Sequence, residues 1–297
     1  MNLNQAKKEI KVNFKNFKVD KIEVTGEGMD SKAFTVNDKY IFRFPKFKPS
    51  SNQLEREIKL LPKLQQRLDL PIPNFEYVGK QSNGFYFVGY KKIHGSFLEP
   101  KRYLELKKKD QNKFIETIAT FFKQIHSFSI DKALKCGVEV ENAKEKCRCD
   151  MERCRKEIFP MLSKLEHVYV EKIFNKYLSN KENFKYTPAL LHSDLSYEHI
   201  IYNQENKTVA GIIDFGDIKI GDPAYELKFL LLDYGKEFIE SLLKIYPFQS
   251  EQMLTRKMDF FIKSNNISDI LVGIDRNDKK LIKYGLKCLR ENISRRV

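Results

Sequence analysis

Two stretches, "HSDLSYEH" (192–199) and "GIIDFGD" (211–217), hold acids and imidazoles at spacings that chemistry can use. Asp194 opens a polar loop after the apolar run "ALL", and His199 follows five residues later. Asp214 ends a second apolar run, "AGII", and lies 20 residues beyond Asp194. Phosphoryl transfer needs this set of groups. A carboxylate positions the acceptor hydroxyl, ligands hold the cation on the triphosphate, and a positive group meets the non-transferred phosphates. Asp194 suits the first task. Asp214 and His199, which can turn back toward one cation, suit the second. Each feature alone is weak, but together they form a pattern that is rare by chance.

With the lead-in "FKYTPALLHSDLS" and the tail "DFGDIKIGDP", these stretches resemble the catalytic and metal-binding segments of aminoglycoside phosphotransferases, which share the protein-kinase fold. The nearer likeness is to the 2''-aminoglycoside phosphotransferases, in which a His is common where kinases carry Asn. The likeness spans nearly the whole chain and is strongest over residues 186–223. It implies an α+β, bilobal, protein-kinase-like fold. A small β-rich nucleotide-binding lobe would occupy residues 1–92, and a larger helical lobe with the catalytic loop and acceptor site residues 93–297. It further implies catalysis by Asp194, and His199 and Asp214 as ligands of Mg²⁺. Mn²⁺ is an alternative, since imidazole is a softer ligand than an amide oxygen.

The N-terminal residues fit the same picture. "VTGEGMDSKAFTV" would be a phosphate-covering turn, with Gly26, Gly28 and Ser31 near the nucleotide. Arg43, in "YIFRFPK", takes the place of the phosphate-contacting strand Lys. A guanidinium stays charged and offers a forked contact to phosphate, so the role survives the exchange. Glu57 is its expected partner, with Glu55 the alternative. Tyr90, Lys91 and Ile93 fall in the connector "VGYKKIHG", and Ile213 precedes Asp214. By the resemblance, Tyr90 stands at the gatekeeper position and crowds the deep adenine seat. That implies GTP as donor, with ATP the alternative.

The elements that must position these residues are legible in outline. "VDKIEVTG", "SKAFTVND" and "KYIFRFPK" read as short strands split by turn signals. "SSNQLEREIKLLPKLQQRL" reads as a helix capped by Ser51, with Leu54, Ile58, Leu61 and Leu64 on its apolar stripe and Pro62 awkward inside it. "FEYVGK" and "GFYFVGYKKI" read as a hairpin around "QSNG". After His94-Gly95 long helices dominate. Phe114, Ile118, Phe121, Phe122 and Ile125 mark one buried stripe, and residues 138–182 are charged and helical.

Composition bounds the rest. The chain has 297 residues, 41% of them hydrophobic, with no apolar run long enough to span a bilayer and no leader-like apolar start. That reads as cytoplasmic, with no membrane partner. Five cysteines are an odd count for a disulfide framework, and "CRCDMERC" has no matching pair for a metal, so its thiols read as incidental on a charged helix. The net charge of +14 comes from lysines spread along the whole chain rather than from a basic arm, so no nucleic-acid partner is expected. No heptad asks for a second copy, which favours a monomer. His94, His126 and His167 read as a loop, a core and a helix-surface residue, and His192 as a hydrogen-bonding support for the loop.

The acceptor half is thinner. An aminoglycoside is a polycation and needs carboxylates; Asp194, Asp217, Glu226 and Asp233 are the candidates, while Asp222 before Pro223 reads as a cap. The resemblance implies further acids where this chain has Ala224, Leu232, Asn265 and Val272. These departures keep two other readings open. One is a kinase for another hydroxyl acceptor such as choline, a macrolide or a sugar. The other is a nucleotide-binding protein without aminoglycoside activity.

Overall fold

The computed structural model describes residues 1–294. Helix α1 (Leu3–Asn13) starts at a capping box in which Asn2 and Gln5 each bond the other's main-chain N–H. Strands β1 (Ile22–Glu27), β2 (Ser31–Val36) and β3 (Tyr40–Pro45) follow, then α2 (Lys48–Leu64), β4 (Phe75–Lys80) and β5 (Tyr86–Lys91). The five strands make one antiparallel sheet in the order β1-β2-β3-β5-β4. Asn37 and Asp38, at positive φ, turn β2 into β3, and Gly84 (φ 84°) turns β4 into β5. Asn and Asp enter this left-handed region more readily than most other non-glycine residues.

Strand alternation divides the sheet by chemistry. Phe34, Phe42, Phe44 and Phe87 share one face and pack with Ala6 and Ile10 of α1. Gly89 lies on that face because a Cβ there would meet the Phe42 ring at 2.5 Å. Register places Arg43 opposite Val88 and Ile41 opposite Tyr90, so Ile41, Arg43, Val88 and Tyr90 share the other face.

Helix α2 differs from its sequence periodicity. It begins at Lys48, with Pro49 in its first turn, where a missing N–H costs little, and it runs through Pro62 to Leu64. Ser51 is not the cap; it is buried and accepts the Tyr86 N–H. The buried stripe is Leu54, Glu57, Leu61 and Leu64, and Ile58 turns half outward. A carboxylate therefore occupies the inward position that spacing assigns to an apolar side chain.

The remainder is mainly helical. It comprises β6 (Ser96–Phe97), α3 (Pro100–Glu105), α4 (Lys108–His126), α5 (Ile130–Lys135), α6 (Ala143–Arg153) and α7 (Lys164–Ser179). Then come β7 (Ala189–Leu191), β8 (Ile200–Asn203), β9 (Thr208–Ile212), β10 (Lys219–Gly221), α8 (Leu227–Ile245), α9 (Glu251–Asp275) and α10 (Lys279–Ser294). The α4 stripe is buried as its periodicity predicts. Its core continues through Leu60, Leu61 and Leu64 of α2 to Ile212 and Phe215, so α2 is anchored to the helical lobe as well as to the sheet. Cys147 and Cys154 are not incidental. They are buried with Met151, Val170 and Leu289 in a second core, and burial pushes both thiols up to about 12. Among the described residues no helix is long and apolar enough to cross a membrane.

Candidate active site

Two short ladders set the site. Strand β7 pairs with β10, and β8 with β9. The segment from β7 to β8 (192–199) and the segment from β9 to β10 (213–218) therefore run side by side. Ile200 stands opposite Ile212, and the Ile213 N–H donates to the His199 carbonyl at 3.0 Å. Residues distant in sequence meet because two pairs of strands close on either side of them.

His199 has Nδ1 2.5 Å from the Asp194 carbonyl oxygen. A carbonyl only accepts, so Nδ1 carries the hydrogen and Nε2 keeps its lone pair. That Nε2 lies 3.8 Å from Asp214 Oδ2, while Nδ1 is 3.5 Å from Asp194 Oδ2. The three chemical residues converge, and the imidazole is oriented by a main-chain group, as metal-binding imidazoles usually are. Burial lifts the Asp194 carboxyl to about 6, against the pull of His199 and with a further push from Asp217 and Asp214. Burial also lifts Asp214, but Arg43, then His199 and His192, outweigh it and hold Asp214 below its ordinary range.

Arg43 joins the sheet to this centre. Its guanidinium bonds Glu57 on α2 through Nη2 and lies 3.2 Å from Asp214 Oδ1 through Nη1. Burial opposes the charge of Arg43, yet Glu57 and then Asp214 keep it raised. Glu57 is pushed up by the same burial and pulled back by Arg43. Glu55 faces solvent and pairs with Lys59 instead.

The other nucleotide candidates lie on the sheet and on the connector that follows it. Gly26 sits at a β-bulge opposite Ala33, the Gly28 carbonyl accepts from Lys46 at 2.8 Å, and Ser31 opens β2 opposite Pro45. Tyr90 is buried on the Arg43 face beside Phe75, and burial raises its phenol to about 12. Lys91 directs its ammonium to Glu76 at 3.1 Å, so any contact it makes in the cleft is through its main chain. The Ile93 side chain packs over Gly211, where a Cβ would meet it at 3.0 Å.

Two residues expected at the acceptor make bonds within the protein. Glu226 is only 1% exposed, and its carboxylate accepts the His192 and Ser193 N–H groups. It fastens the catalytic loop and offers no free face to an acceptor. Asp233 spends one oxygen on the Tyr197 N–H at 2.8 Å, pinning the turn that delivers His199. Asp217 is exposed and is met by Gln53 at 3.3 Å. Ala224 is fully buried, and Asp222 caps Ala224 N–H while pairing with the buried Lys257.

Sequence reading missed the backbone strain. Ser193 (φ 71°) and Asp214 (φ 64°), neither of them glycine, both hold left-handed conformations next to the chemistry. It also missed Lys228, buried in the first turn of α8, and the 2.9 Å pair of Arg276 with Asp30 that ties the end of α9 to the glycine-bearing turn. Position along a charged chain gives no signal for any of these.

His192 is fully buried and bridges both loops. Its Nε2 meets the Ile213 carbonyl at 3.0 Å, and its Nδ1 meets the Asp194 N–H at 3.4 Å. The carbonyl needs a donor and the N–H needs a lone pair, so only neutral imidazole fits. Burial, then His199, drop its pKa to about 3. The unfolded chain thus binds this proton more readily, and stability falls as pH drops from about 6.5 toward 3. Between pH 7 and pH 5 the wild type should lose about 2 kcal/mol more than His192→Gln, which keeps a donor and an acceptor without titrating. Urea midpoints at the two pH values measure this. Parallel losses in the two proteins would show that His192 does not titrate on unfolding.

Comparison with known proteins follows the same lines. The model of the APH phosphotransferase enzyme family matches residues 21–261. A GDP and kanamycin complex of APH(2'')-IIIa is 31% identical, with 98% of this chain and 99% of that chain covered at TM-score 0.93. A GDP complex of wild-type aminoglycoside 2'-phosphotransferase-IIIa is 30% identical, with 100% of each chain covered at TM-score 0.94. A gentamicin complex of APH(2'')-IIa is 28% identical, with 97% and 96% covered at TM-score 0.83. With its kinase-like fold and this convergence of Asp194, His199, Asp214 and Arg43, the chain belongs to the APH phosphotransferase enzyme family.

Proposed function

We propose that this enzyme moves the γ-phosphoryl group of GTP to an aminoglycoside hydroxyl, the 2'' hydroxyl in particular, as a monomer in the cytoplasm. Residues 1–92 take the nucleotide and residues 93–297 the acceptor. The reading rests on one observation above the others: Asp194, His199 and Asp214 meet within a few ångströms, with Arg43 bound to Asp214. The similar structures carry GDP with kanamycin, GDP, or gentamicin, which supports both halves of the reading.

The donor set suits Mg²⁺. Among the described residues no cluster of three or more His, Cys, Asp or Glu is arranged to hold a metal. A pair of ligands is enough for a cation that keeps waters and takes its other ligands from phosphate. Asp214 and the Nε2 of His199 would hold it, with Mn²⁺ the alternative, and it would supply charge neutralisation on the phosphates. Arg43 adds a fixed positive charge beside them. Asp194, largely ionised at neutral pH, accepts the proton of the acceptor hydroxyl and aims its oxygen. Because the transition state is loose, this positioning contributes more than base strength.

Asp194→Asn should lower kcat by about 10²–10⁴-fold, the usual range for a positioned base, and leave GDP binding by calorimetry near the wild-type value. Turnover close to wild type in that variant would remove Asp194 from the chemistry. Tyr90 narrows the base site on the Arg43 face, so kcat/KM for GTP should exceed that for ATP. A clear preference for ATP would contradict the role given to Tyr90.

A further inference from the structure

The turn from β1 to β2 is held by little besides charge. Strand β1 is the edge of its sheet, and residues 23–29 are all exposed, so no apolar burial fixes this flap. Most of its polar contacts stay within the N-terminal lobe. Lys46, just past β3, reaches the Gly28 carbonyl through Nζ at 2.8 Å, and its N–H donates to the Asp30 carbonyl at 2.9 Å. Glu27 pairs with Lys32 at 2.7 Å and with Lys46 at 3.0 Å. Among the described residues, one hydrogen bond or ion pair carries the turn across to the helical lobe. Asp30 Oδ2 accepts from Arg276 Nη2 at 2.9 Å, from 246 residues away in sequence.

Arg276 has a firm mount. Its N–H donates to the Val272 carbonyl at 3.0 Å and closes α9. Asp275 beside it takes two bonds from Arg153 of α6, at 3.0 and 2.6 Å. Asp278, two residues on, accepts the Lys280 and Leu281 N–H groups and caps α10. The cation is therefore fixed, and the flap is the partner free to move.

Register puts the flap beside the chemistry. Ser31 lies opposite Pro45, and Ala33 opposite Arg43. The turn thus begins two residues, or about 7 Å of strand, beyond the guanidinium that meets Asp214. Side-chain exposures of 32% for Arg276 and 40% for Asp30 make this a weak, salt-screened pair, which suits a clasp that must open at every turnover.

We propose that Arg276 is a positioning residue for the donor: through Asp30 it clasps the β1–β2 flap over the nucleotide phosphates and slows departure of the spent nucleoside diphosphate. The proposal rests on the phosphotransferase reading above and adds a control on that same site. It also accounts for an acid in a turn that would cover phosphate. A bare carboxylate there repels the ligand, whereas one paired with Arg276 does not.

Release of a fluorescent GDP analogue, followed by stopped flow, tests this. Arg276→Gln should speed release by about two- to fivefold, the range of an exposed ion pair, and Arg276→Lys should stay near wild type. Asp30→Ala should speed release by a similar factor, and the double variant should release no faster than either single one. The sign at Asp30 is decisive. If its charge acts on the phosphates directly, removing it slows release; if it holds the clasp, removing it speeds release. Slower or unchanged release from Asp30→Ala, or single effects that multiply in the double variant, overturns the clasp and leaves the phosphotransferase reading standing. A wild type that binds no GDP analogue overturns both.

Discussion

The largely buried guanidinium of Arg43, held between the buried Glu57 and the half-exposed Asp214, is the interaction on which the rest of the cleft depends. A buried charge is tolerated only when it is paired, and breaking such a pair typically costs about 3–5 kcal/mol because a bare charge stays behind. Arg43 comes from the sheet, Glu57 from α2 and Asp214 from the helical lobe. One electrostatic demand thus fixes three elements at once. It turns the Arg43 face of β3 inward and rotates α2 so that Glu57, not Ile58, enters the buried stripe. It also holds the loop after β9 where Asp214 can meet His199.

That loop and its neighbour are kept in conformations they would not choose alone. Ser193 and Asp214 occupy left-handed backbone, each at a typical cost of about 1–3 kcal/mol. The restraints are specific and mostly buried. Glu226 takes the His192 and Ser193 N–H groups, the His192 ring ties both loops, and Asp233 pins the turn at Tyr197. Glu226 and Asp233 are therefore engaged in holding these turns. Asp217 remains exposed, met by Gln53.

Much of this was readable from residue order. Alternation of apolar residues marked the sheet, the 3.6-residue period marked α4, and the spacing pattern anticipated that Asp194, His199 and Asp214 would meet. What failed to appear was of a different kind. Sequence names a carboxylate but not the N–H groups its oxygens will meet, so it gave no sign that Glu226 would fasten His192 and Ser193 or that Asp233 would hold the turn at Tyr197. Periodicity finds an apolar stripe but cannot see that Arg43 will draw a Glu into it. Spacing alone made Cys147 and Cys154 look incidental, although both lie in a core assembled from distant helices. Lys228 is one of many lysines in a chain of net charge +14, and only its burial beside the Tyr225 and Phe229 rings distinguishes it.

His199 is the proposed ligand, its Nδ1–H on the Asp194 carbonyl and its Nε2 left for the cation. Pulsed electron paramagnetic resonance of the Mn²⁺–GDP complex reads that ligand directly. The wild type should show a ¹⁴N modulation from a directly bound imidazole, and His199→Asn, whose side chain would bind through oxygen, should lose it. A wild-type spectrum without that modulation, or the same modulation in both proteins, would contradict this ligation.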